Sequence, residues 1–209
     1  SLQMIPLLYS FRRCPYAMRA RLALDVSGVH THLREIVLRD KPRAFLDASP
    51  SATVPCLVTR TRTIDESLDI MIWALQQSDP EDWLNMPAEG HDWIARADGP
   101  FKTALDHTKY ATRYPDEDPD HHRRNASKFL SDLDAQITEW MFNKPTLADH
   151  ALLPFVRQFA FIDKPWFDAQ PWPALQAWLE RFLASDRFAR IMLKYPPWQP
   201  GNAPVIFPV

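Results

Sequence analysis

The chain has 209 residues, a net charge of −2, and 46% hydrophobic against 24% charged side chains. That composition is globular, with enough chain for one large domain or two small ones, and no overall field invites nucleic acid or anionic lipid. Its four glycines never fall in a GxGxxG or phosphate-loop spacing, and Cys14 and Cys56 alone build neither a disulfide framework nor a cysteine zinc site.

In chain order, Met4–Ser10 reads as a strand and Cys14–Gly28 as a helix. Pro15 suits the first helical position and Gly28 the stop. His32–Leu38 alternates as a second strand, and Lys41–Ala48 fits a short helix. Pro55–Thr63 reads as two short strands. Leu68, Met71, Ile72 and Leu75 then share one helical face. The order is β-α-β-α-β-β-α over residues 1–80, an α/β domain. Ser78–Pro87 reads as a linker. From residue 86 to 209 strand signals vanish, and helices are expected at about 90–112, 120–142, 147–162 and 173–193, an all-α domain. The tail from Pro196 is too proline-rich for a helix, but Trp198, Ile206 and Phe207 are expected to pack. No apolar run is long enough to span a bilayer, and no basic-then-apolar leader precedes the first strand. Two cysteines without a disulfide framework fit a reducing compartment, so a cytoplasmic protein is expected.

The strongest chemical signal is Cys14, placed where a strand gives way to a helix. A sulfur there meets unpaired backbone N–H groups and the positive end of the helix dipole, and Arg12 and Arg13 push the same way. The thiol is therefore expected below its free pKa of roughly 8.5. Position 17 is Ala, so a mixed disulfide at Cys14 needs an external thiol to release it. Cys56 reads as core. A cis bond between Val54 and Pro55 would turn the Val54 backbone toward an extended ligand. Glu66-Ser67 opens the next helix, where Ser67 and the helix start can meet a carboxylate and Glu66 an ammonium. By itself Lys41 is an ordinary solvated lysine. The pair His121-His122 has no acid at helical metal-ligand spacing and reads as a solvated face, so no metal site is expected, and His107, three residues before Tyr110, reads as a surface histidine with a pocket residue as the alternative. Phe11, Tyr110 and Trp166 are aromatic candidates for an acceptor pocket between the domains.

Together these pieces resemble the cytosolic glutathione transferase superfamily over nearly the whole chain. Cys14-Pro-Tyr-Ala-Met-Arg19 resembles its cysteine-type members, the omega class and dehydroascorbate reductases. Lys41-Pro-Arg-Ala-Phe45, Thr53-Val-Pro-Cys-Leu57 and Ile64-Asp-Glu66-Ser67 follow in the family's order, with Ser49 where Asn is usual. Thr146-Leu-Ala-Asp149 resembles the family's buried capping motif, although Pro145 and His150 occupy its staple positions. The resemblance implies a thioredoxin-like first domain, an all-helical second domain and a homodimer. It implies glutathione as cosubstrate, with its cysteinyl backbone on Val54 beside Pro55, its γ-glutamyl end at Ser67 and Glu66, and its glycyl carboxylate at Lys41. Cys14 becomes the nucleophile of a thiol transferase acting on glutathionyl mixed disulfides, dehydroascorbate or S-glutathionyl adducts. The alternatives are a conjugating transferase using Tyr9, Ser10 or Tyr16, a non-enzymatic binding protein, and a membrane-inserting chloride-channel-like protein.

Overall fold

The apolar run Leu7–Ser10 forms strand β1 in the middle of a sheet, where a strand covered on both faces reads as continuously hydrophobic. The computed structural model describes residues 4–209, which fall into two compact units: the chain up to Leu84 together with Ser185–Val209, and Asn85–Ala184.

In the first unit, β1 leads to helix α1 (Pro15–Ser27), strand β2 (Thr31–Glu35), helix α2 (Arg43–Ala48), strands β3 (Cys56–Val58) and β4 (Thr63–Ile64), and helix α3 (Ser67–Gln77). Helix α10 (Asp186–Ile191) and strand β5 (Ile206–Phe207) complete it. The sheet order is β4-β3-β1-β2-β5. Strands β1 and β2 run parallel with Leu8 opposite Leu33, as a β-α-β crossover requires, and the other pairs are antiparallel. Helix α1 starts where Cys14 is extended and Pro15 needs no N–H partner. It stops at Gly28, whose φ of 71° places it in the left-handed region and lets its N–H reach Leu24 O. The helix is buried almost all round and packs against α3 and α10.

The tail differs from expectation. Residues 185–209 join the sheet unit instead of the helical domain. The outer edge of β2 would otherwise stay unpaired, and the tail supplies the missing groups. Val205 O accepts from Leu33 N–H at 2.8 Å, Phe207 O from the Thr31 hydroxyl at 2.9 Å, and Trp198 N–H donates to Glu35 O at 2.8 Å. Prolines are tolerated here because an edge strand needs only some of its N–H groups. Phe207 is buried as expected, the Trp198 ring carries the Arg34 guanidinium 4.1 Å from its centroid, and Ile206 stays exposed.

The second unit is helical: α4 (Glu89–Arg96), a π-helical stretch (Ala97–Phe101), α5 (Lys102–Lys109), α6 (Pro119–Gln136), α7 (Leu147–Ala160), α8 (Lys164–Asp168) and α9 (Pro173–Leu183). The expected helix at 90–112 is thus locally unwound around Pro100, which cannot donate to the helical ladder. The expected helix at 120–142 ends at Gln136, whose side-chain amide donates to Met141 O and helps satisfy the loop that follows. The expected helix at 173–193 splits because Ser185 restarts the chain as an N-cap for α10.

Asp149 fixes the start of α7. It is fully buried and accepts from Thr146 N–H at 2.9 Å, the Thr146 hydroxyl at 3.1 Å, Met141 N–H at 3.0 Å and Trp178 Nε1–H at 3.0 Å. A capping box joins Thr146 to Asp149, and His150, at a staple position, bonds Thr146 O through Nδ1. Asp149→Ala strands several buried donors at once. It should lower the unfolding free energy by about 3–5 kcal/mol in urea denaturation, against under about 1 kcal/mol if the carboxylate were dispensable.

Candidate active site

Cys14 sits at the N-cap of α1, held by its N–H to Phe11 O at 3.1 Å. Its side chain is half-buried, and Sγ lies 4.0 Å from Val54 O, within reach of a weak S–H donation. The sulfur makes no cap bond to the first N–H groups of α1. The Cys14 side chain lines a cleft.

That cleft has a volume of about 390 Å³ and belongs to the first unit. Its walls include Cys14, Lys41, Val54, Pro55, Glu66 and Ser67, brought together from four separate stretches of chain. The Val54–Pro55 bond is cis, as expected. Lys41 is not a plain solvated lysine, since its ammonium donates to Ala52 O at 2.9 Å on the cleft wall. Glu66 is exposed at the N-cap of α3 and makes no cap bond. Ser67 is buried beside it, and its hydroxyl accepts from Arg19 Nη1 at 3.4 Å. An opening helix end, a carboxylate and a hydroxyl thus share one end of the cleft. Such a set can bind an amino-acid head group.

Leu38 and Asp65 are wall residues with no role in the sequence reading. Asp65 accepts from the Ser51 hydroxyl at 2.8 Å and from its N–H at 3.3 Å, which ties the loop before Val54 to the start of α3. Its position beside Glu66 is the only sequence signal it leaves.

Arg21 is the larger omission. Its guanidinium is buried and donates to the Ser10 hydroxyl at 2.6 Å, Arg12 O at 2.6 Å, Phe11 O at 3.4 Å and Ile191 O at 2.8 Å. Burial lowers its pKa to about 10, opposed by the charges of Glu35 and Cys14, so it stays cationic at neutral pH. Glu35 accepts Arg12 N–H at 2.6 Å, and burial raises its carboxyl above the usual range. Arg12 itself donates to Met192 O and Arg13 is exposed, while the buried Arg21 is a cation whose charge couples to Cys14. An arginine inside the otherwise apolar run Arg21-Leu-Ala-Leu24 was the available sign.

Tyr9 and Ser10, two candidates for activating a bound thiol, are buried. Arg34 donates to the Tyr9 hydroxyl at 2.9 Å, and Arg21 holds the Ser10 hydroxyl. Tyr16 alone of the three lines the cleft. Among the aromatic candidates, Phe11 packs with Cys14 against the cluster of Tyr9, Ile36, Phe45, Val54 and Cys56. In the helical unit, Tyr110 ends α5 under the Lys109 and Arg113 cations, while Trp166 lines a cavity of about 230 Å³ with Arg123 over its ring.

Residues 8–82 match the family model of the glutathione S-transferase N-terminal domain, and residues 91–181 that of the C-terminal domain. The chain belongs to the glutathione transferase family. Arabidopsis thaliana glutathione S-transferase DHAR2 is 30% identical over 92 residues, 44% of this chain and 43% of that protein. Sus scrofa glutathione S-transferase omega-1 is 40% identical over 50 residues, 24% of this chain and 21% of that protein. The matched stretches therefore span under half the length of these curated relatives. The fold is that of glutathione transferase omega 3C from Trametes versicolor, with a TM-score of 0.76 at 19% identity over 90% of this chain and 84% of that one. A Pseudomonas fluorescens family member solved with two glutathione molecules gives 0.76 at 21% identity over 90% and 92%. No helix among the described residues is long and apolar enough to cross a membrane.

Cys56 is fully buried, and burial pushes its thiol up to about 11. It should stay neutral and unalkylated at pH 8, because only the thiolate reacts. Iodoacetamide at that pH is expected to label Cys14 alone, read by peptide mass. Equal labelling of both cysteines would contradict this assignment of burial and access.

Proposed function

We propose that the protein is a glutathione-dependent thiol transferase in which Cys14 is the nucleophile. The observation that carries this reading is the half-buried Cys14 thiol facing Val54 O across a cleft whose walls also hold Lys41, Glu66 and Ser67. An extended tripeptide fits that layout. Its cysteinyl backbone pairs with Val54, its γ-glutamyl carboxylate meets Ser67 and the start of α3, its ammonium meets Glu66, and its glycyl carboxylate meets Lys41. Each charge-assisted hydrogen bond contributes about 1.5–3 kcal/mol, less where water screens it. Lys41 already donates to Ala52, so its contribution requires that it share or exchange this partner.

In the first step, the Cys14 thiolate attacks the glutathionyl sulfur of a mixed disulfide. A Cys14–glutathione disulfide forms, the original disulfide breaks, and the acceptor leaves as a thiolate that takes a proton from water. A second glutathione thiolate then attacks the glutathionyl sulfur, releasing oxidised glutathione and the Cys14 thiolate. The step needs no metal. Ala17 provides no resolving thiol, and Cys56 is buried, so release by external glutathione follows. Dehydroascorbate and S-glutathionyl adducts are further substrates of the same thiol chemistry. The same reading includes a cytoplasmic homodimer, by family resemblance.

Oxidised glutathione should add one glutathionyl group per chain, at Cys14, and excess reduced glutathione should remove it. Cys14→Ser should abolish disulfide reduction, because a hydroxyl cannot exchange with a disulfide. Full retention of that activity would move the conjugating reading, with Tyr16 or the new serine acting on bound glutathione, ahead of this one. Separately, Glu66→Ala and Ser67→Ala should each weaken glutathione severalfold or more by calorimetry with the fold intact. Unchanged affinity in both would rule out the binding pose.

A further inference from the structure

The helical unit holds a side-chain cluster that the glutathione chemistry does not use. His107 in the last turn of α5, Glu117 in the loop before α6 and His122 near the start of α6 place their ligand atoms within 4.8 Å of one another. His107 Nδ1 and His122 Nε2 bond the same carboxylate oxygen, Glu117 Oε2, the second at 2.8 Å. The three residues are ten and five positions apart, so no helical spacing joins them and the fold alone assembles them.

The cluster is built to hold its shape. Asp118 caps α6 through Asp120 N–H at 3.0 Å and so fixes the start of the helix that carries His122. The Tyr114 ring stacks on the His107 imidazole with centroids 3.8 Å apart and planes 10° from parallel. Both imidazoles are shielded, at 20% and 17% side-chain exposure, whereas Glu117 is 42% exposed and leaves one side open to water. Asp116, Asp118 and Asp120 add negative charge nearby, partly balanced by Arg123 and Arg124.

We propose that His107 Nδ1, Glu117 Oε2 and His122 Nε2 form a binding site for one divalent transition-metal ion of the Zn²⁺, Ni²⁺ and Co²⁺ class, with water completing the coordination. Two imidazoles and one carboxylate are a donor set these ions favour over Mg²⁺ or Ca²⁺. Ligands about 2.0–2.1 Å from a tetrahedral ion lie roughly 3.3 Å apart, a spacing that small side-chain rotations reach from the present arrangement. On binding, the proton that each of these nitrogens donates to Glu117 moves through water to the ring's other nitrogen or to solvent, which frees a lone pair for the ion, and the hydrogen bond to Glu117 is replaced by a metal bond. The ion then ties the end of α5 to the start of α6. The site shares no residue with the glutathione cleft.

The test uses tag-free full-length protein titrated with Zn²⁺ and, separately, Co²⁺. We expect one ion per chain by calorimetry, a rise in melting temperature with Zn²⁺, and a Co²⁺ spectrum without thiolate-to-metal charge transfer. His107→Ala, His122→Gln and Glu117→Gln should each weaken binding by about tenfold or more and remove the thermal shift. Glu117→Gln keeps size and shape on an exposed loop, so it decides the matter if a histidine variant misfolds. No stoichiometric binding at millimolar Zn²⁺, or affinity unchanged in Glu117→Gln and in the histidine variants, would leave the cluster a hydrogen-bonded clasp and overturn the proposal.

Discussion

The buried guanidinium of Arg21 holds the β1–α1 turn of the sheet unit in place. Its hydrogen bonds reach the Ser10 hydroxyl, the carbonyls of Phe11 and Arg12, and Ile191 O. It therefore pins the β1–α1 turn that presents Cys14 and ties that turn to α10. A buried cation is costly unless its donors are satisfied, and here the backbone turn is what satisfies them. Glu35, lifted by burial yet holding Arg12 N–H, adds a second anchor to the same turn. The turn that carries the thiol is thus held by a polar network beneath it together with the Cys14 N–H bond to Phe11 O.

The opposite wall is ordered by backbone and short side chains. Asp65 holds Ser51, Lys41 holds Ala52, and Arg19 reaches Ser67. These contacts hold the polar groups of the cleft wall in place around a common space. In the helical unit Asp149 plays a comparable part, with four donors converging on one carboxylate at the start of α7.

Much of this was legible because the cleft residues sit at element ends that leave local marks. Cys14 before Pro15, Val54 before Pro55, and Glu66-Ser67 before an amphipathic helix all announce a boundary, and functional groups gather at boundaries. Arg19 and Arg21 were harder to read. Their partners lie far along the chain, and an arginine in a helix ordinarily signals a solvated face. Strand β5 left no alternating pattern because two residues at an edge are too few for one. The π-helical stretch needs only a single proline as its cause. The cluster of His107, Glu117 and His122 was missed because two helices and a loop supply it, so no periodicity within one segment could reveal it.

The proposed chemistry depends on glutathione lying in this cleft with its sulfur on Cys14. A crystal structure of the protein equilibrated with oxidised glutathione tests it most directly. The expected result is a disulfide of about 2.05 Å between Cys14 Sγ and the glutathionyl sulfur, with the γ-glutamyl group at Glu66 and Ser67. Glutathione bound with its sulfur against Tyr16 and no bond to Cys14, or bound outside this cleft, would contradict it.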